Sequence, residues 1–75
     1  MTTLDCLTPG SEALLIEVGG ARPFQCRLME MGLLPGTRVQ VVRRNHFGGV
    51  LELKVRHSHV TVRTIEASQL IVSPA

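Results

Sequence analysis

The chain has 75 residues, 8 Lys+Arg against 6 Asp+Glu, two Cys, two Phe and neither Trp nor Tyr. This length allows one small domain and excludes a second domain, and with it the deep interdomain cleft in which many enzymes work. An apolar share of 44% with only 19% charged residues excludes disorder, and the absence of any apolar run of about 18 residues argues against a membrane-spanning helix.

Met1–Asp5 has neither the basic region nor the apolar core of a secretory signal, so the expected compartment is the cytoplasm. Cys6 and Cys26 are then expected as free thiols. Thr8-Pro9-Gly10-Ser11 is turn chemistry, because Pro presets φ and Gly accepts positive φ. Ala13 to Val18 is a short apolar run with a β-branched end, which predicts a buried strand stopped by Gly19-Gly20.

A helix is predicted over about residues 23–31. Pro23 suits its first turn, where a missing N–H costs nothing. Phe24, Leu28 and Met31 recur at i, i+4 and i+7 and line one face, with Gly32 as the C-terminal stop. Met29 and Cys26 lie off that stripe and are expected to be partly exposed, while Arg27 and Glu30 face water. So short a helix needs a sheet to pack on.

Leu34-Pro35-Gly36-Thr37 reads as a type II turn, with Pro at i+1 and Gly at i+2. In the strand that follows, Val39 and Val41 are expected to point inward and Arg38, Gln40 and Arg44 outward. Asn45 to Gly49 is a loop. Leu51, Leu53 and Val55 then alternate with Glu52, Lys54 and Arg56, a half-buried strand. After His57-Ser58-His59, Val60 and Val62 face in and Thr61 and Arg63 face out. Thr64 to Gln69 makes at most a brief helical turn, and Leu70-Ile71-Val72 closes the sequence of strands. Five short strands this close together, with one helix after the first, predict a small five-stranded antiparallel barrel, which removes exposed edges.

The sequence carries no catalytic signature. The single Asp is Asp5, and no G-x-S-x-G, H-E-x-x-H or Walker loop occurs. Gly48-Gly49 lacks the Lys-Ser/Thr that completes a phosphate loop. His57 and His59 fall on one side of an extended chain, so with His46 and Cys26 they could form a Zn or Fe(II) site within the chain or bridging a homodimer. Without a C-x-x-C or C-x-x-H pair, the competing description is exposed loop histidines. Residues 38–75 carry a net +4 and residues 1–37 a net −2. Arg43-Arg44-Asn45-His46-Phe47 places one aromatic among cations, far short of the stacking platforms of single-strand binders, so nucleic acid is not the expected partner.

Arg27 to Val39, RLMEMGLLPGTRV, resembles the signature of the FeoA family of bacterial ferrous iron transport: a helix ending in R-L-x-x-M-G-L, a P-G turn and an alternating valine strand. Gly10, Gly48-Gly49 before L-E-L-K-V-R, V-T-V-R, a short E-A element and L-I-V follow in the family's order, so the resemblance covers about residues 4–72. Near His57 the sequence departs from it, since a Gly is common in that hairpin. The resemblance implies an SH3-like barrel with an inserted helix, like the C-terminal domain of iron-dependent repressors. It also implies a non-enzymatic accessory role on FeoB, the membrane Fe(II) transporter with a cytosolic GTP-binding domain. The expected docking surface is an apolar groove of Met29, Met31, Leu33 and Leu34, rimmed by Arg43, Arg44 and Phe47.

Overall fold

The computed structural model describes residues 1–45, 47 and 49–74. Six antiparallel strands form one sheet: β1 (Thr2–Thr3), β2 (Glu12–Val18), β3 (Arg38–Asn45), β4 (Val50–Val55), β5 (Ser58–Arg63) and β6 (Leu70–Pro74), in the order β1-β6-β2-β3-β4-β5. The sixth strand relative to expectation is the two-residue β1, which pairs with β6. Helix α1 (Arg22–Glu30) lies between β2 and β3, and the single turn α2 (Thr64–Ala67) between β5 and β6. Among the described residues, no helix is long and apolar enough to cross a membrane.

Every strand from β2 to β6 sends side chains into one core. Leu15, Val39, Val41, Leu51, Leu53, Val62, Leu70 and Val72 are all essentially sealed from water, and Leu4, Leu28 and Leu33 plug the same cluster. Burying each such side chain contributes on the order of 2 kcal/mol, which is how a chain with two Phe holds together. The alternation expected for β4 is observed, with Leu51, Leu53 and Val55 buried.

Two β-bulges change which side chains face out. In β2 the register shifts between Leu15 and Glu17. The strand is half-buried rather than buried: Leu14 is exposed by ordinary alternation before the bulge, and at the bulge Ile16 and Glu17 both face out. In β3 the shift falls between Val41 and Arg43. One extra residue reverses the parity of everything beyond it. Arg43, inward by simple alternation, turns outward opposite Glu52, while Arg44, expected outward, comes to lie opposite the buried Leu51.

Helix α1 begins one residue earlier than its pattern suggested and ends in a complete Schellman motif. The Gly32 N–H donates to the Met29 carbonyl and the Leu33 N–H to the Leu28 carbonyl, both at 3.0 Å. The motif needs a left-handed residue after the C-cap, and Gly32 supplies it at φ +94°. It also turns the following residue back onto the helix. Leu33 and Leu28 are both core residues for this reason. The type II turn follows directly, with Gly36 at φ +91° and the Thr37 N–H donating to the Leu34 carbonyl. It is pinned to β2 by hydrogen bonds in both directions, Gly36 to Leu15 and Leu15 to Thr37.

Candidate interaction surface

Around the end of α1, Met29 and Leu34 are exposed, at 46% and 37%, while Met31 is half-buried against the core. Leu33, expected beside them, is fully buried, so it belongs to the core and not to a docking surface. Local geometry explains the split: the same Schellman turn that folds Leu33 inward leaves Met29 and Leu34 facing water.

Leu28 and Met31 also form the floor of an open groove of about 290 Å³ between α1 and β5, with Val50 and Val62 opposite. Its rim is an ion pair between Arg27 of α1 and Glu66 of α2. The Glu66 carboxylate also accepts the Arg63 N–H at 2.9 Å, capping α2. That backbone hydrogen bond, with the Arg27 and Arg63 charges and against the effect of burial, holds the Glu66 carboxyl below its ordinary range. Arg27 stacks over Phe24 as well, 5.7 Å from the ring centre.

The expected basic rim is not assembled as one patch. Phe47 is fully exposed, but it lies beyond the far end of β3 from Leu34, about 25 Å of extended chain away. Arg43 is paired across the ladder with Glu52, Nε to Oε2 at 3.4 Å. Arg44 donates to the carbonyls of Asp5 and Leu7, at 3.0 Å to the latter, and so clamps the 3₁₀ turn Leu4–Cys6 to the sheet. It is a structural cation and not a free one, as its inward parity requires.

A different basic cluster appears, with no single sequence motif behind it. Gln40 pairs with Lys54 and Val39 with Val55, the last rung of the ladder, so Arg38 lies just before that rung on β3 and Arg56 just after it, in the β4–β5 turn. Arg38, Lys54 and Arg56 line an open groove of about 430 Å³ with Glu12, Gly36 and Gln40. None of the three cations is within ion-pair distance of a carboxylate among the described residues. The outward sets of both strands were readable from alternation; bringing them together needed the register.

Cys26 lies exposed on α1, whereas His57 and His59 lie exposed at the β4–β5 hairpin, and His46 is outside the described residues. Among the described residues no three His, Cys, Asp or Glu side chains gather at metal-binding distance. Arg56 takes the left-handed position of this hairpin, at φ 58°, so the residue that a glycine would favour is Arg56 and not His57.

The fold has close relatives among solved structures. A FeoA protein from Chlorobium tepidum superposes with a TM-score of 0.90 at 27% identity, covering 97% of this chain and 70% of that one. An iron uptake regulatory protein, also FeoA, gives 0.89 at 22% identity, over 99% and 97% of the two chains. A manganese-dependent transcriptional repressor in complex with manganese gives 0.90 at 17% identity, but this chain spans only 36% of it. No curated protein matches the sequence. The FeoA domain profile matches residues 2–74, nearly the whole of the barrel and both turns around Gly32 and Gly36, and the chain belongs to the FeoA domain family.

Proposed function

We propose that the chain is a non-enzymatic accessory protein of bacterial ferrous iron uptake that docks on the cytosolic GTP-binding part of FeoB. The observation that carries this reading is the FeoA domain filling residues 2–74, in a chain whose described residues line two open grooves. The apolar contact surface comprises Met29, Met31 and Leu34, adaptable side chains beside a rigid turn. Arg43 and Phe47, at the other end of β3, make a second point of contact.

The test is a titration of the chain against the cytosolic domain of the transporter encoded in the same genome. Met29→Asp/Leu34→Asp keeps the core intact, because both side chains already face water. It is expected to weaken binding about tenfold or more, as loss of central apolar contacts does at other interfaces. Unchanged affinity in this folded variant excludes the helix end as the contact surface. Absence of binding by the unaltered chain excludes the docking reading itself.

A further inference from the structure

We propose that the groove between β2, β3 and β4 docks an acidic, extended peptide segment of the partner, held by Arg38, Lys54 and Arg56. This rests on the reading that the chain acts by docking.

The same ladder shows what an ordinary solvated strand pair looks like. One step along from the groove, Arg43 faces Glu52 and the charges cancel. At the groove Lys54 faces the neutral Gln40, and Arg38 and Arg56 line the same groove with it, so three like charges gather where no carboxylate pairs with them among the described residues. Glu12 is the one carboxylate of the lining. Arg56 adds a second unfavourable element, a long side chain at φ 58°, where L-residues are strained. Strain of this kind persists where the surroundings over-determine it, often at binding sites.

The shape favours a chain over a compact anion. The cations are spread over two strands and the turn after β4 rather than gathered at one point, and alternate side chains on one face of an extended peptide are separated by about 6.7 Å. Alternate carboxylates on such a peptide can therefore meet successive cations of the groove. The Gly36 N–H, which could have contributed to a phosphate cradle, is committed to the Leu15 carbonyl at 2.7 Å. A Cβ at Gly36 would meet nothing within 4 Å, so that wall stands open to an approaching backbone. Exposed Leu14, opposite Arg38 in the β2–β3 ladder, gives the groove an apolar margin.

The experiment follows amide shifts of the isotopically labelled full chain on addition of three probes. These are a short peptide alternating Glu and Ser, its Gln-for-Glu counterpart, and inorganic phosphate. The expected result is salt-sensitive shifts confined to residues 36–40 and 54–56 with the Glu peptide. Arg38→Gln/Lys54→Gln, both exposed and therefore fold-neutral, is expected to weaken this binding about five- to tenfold. Shifts scattered over all cations, or equal shifts with the Gln peptide or with phosphate, overturn the proposal. So does undiminished binding by the double variant. The same variant titrated against the transporter domain separates the two readings. Loss of affinity there supports the groove as the docking point. Retained affinity overturns it and leaves docking by the helix end standing. If the unaltered chain does not bind the domain, the docking reading fails, and the partner assignment of the groove fails with it even where the peptide binds.

Discussion

At the end of α1, Met29 and Leu34 reach water because two consecutive turns, each with its own glycine, aim them there. Across β3, β4 and the turn after β4, Arg38, Lys54 and Arg56 line one groove because two strands pair in one register and a bulge further along leaves that part of the ladder undisturbed. The first surface is built from neighbours in sequence and the second from residues up to 18 positions apart, Arg38 to Arg56. A surface made by local turns is altered by changing one turn residue. A surface made by register resists single changes of shape and is altered through charge.

The largest effect should separate the two leucines of the turn. Leu33→Ala opens a cavity beside Leu28 and is expected to cost about 2–5 kcal/mol. Leu34→Ala removes a side chain already 37% exposed and should stay within about 0.5–1 kcal/mol. Thermal denaturation followed by circular dichroism reads both; equal losses would mean the Schellman turn does not divide inside from outside. Gly32→Ala comes next. A Cβ there would touch the Val55 side chain only at ordinary distance, 3.9 Å, so the cost comes from the left-handed backbone. It is about 1–2 kcal/mol, measurable in the same way.

Much of the helix end could be read from local sequence. Pro23, the Phe24/Leu28/Met31 stripe, Gly32 and Pro35-Gly36 each specify a local geometry, and the structure contains each of them. The exception, Leu33, is instructive because its burial is part of the same Schellman motif that Gly32 announces; the signal lay in the position after the glycine. The strands of the sheet were legible too, from alternation in Leu51–Val55 and Val60–Val62. What alternation could not convey was parity beyond a bulge. Val42-Arg43-Arg44 offers nothing to mark an inserted residue, and so Arg44 reads as an outward cation although its guanidinium holds the Asp5 and Leu7 carbonyls. The groove of Arg38, Lys54 and Arg56 escaped for the related reason that register is a property of two strands and neither one states it.

Away from the basic groove, the Arg27–Glu66 tie joins α1 to α2, and Glu66→Gln tests what it contributes to stability. The substitution weakens both the α2 cap and the bridge to α1, an expected loss of about 1 kcal/mol. The pH dependence has a definite sign. The folded carboxyl titrates below its unfolded value, so the unfolded chain binds more protons between the two. The contribution is complete above the ordinary glutamate range and is lost as pH falls through the folded value. Melting temperatures across acid pH should therefore fall less steeply in Glu66→Gln than in the unaltered chain. Parallel slopes would show that Glu66 contributes nothing to the acid sensitivity.

The smallest expected effect is also the most discriminating for the basic groove, because its two readouts move in opposite directions. Arg56→Gly relieves the left-handed strain at φ 58°, worth about 1–2 kcal/mol, against about 0.5–1 kcal/mol for the greater freedom of glycine in the unfolded chain. The net is a stabilisation of about 0.5–1 kcal/mol, a rise of a few degrees in melting temperature for a domain of this size. If Arg56 stands at that position for its charge, affinity for the acidic peptide falls as stability rises. Asn, which also tolerates the left-handed region, should behave like Gly in both respects. A variant that gains stability and keeps its affinity would show that Arg56 is merely a poorly chosen turn residue, and that Arg38 and Lys54 alone hold whatever binds there.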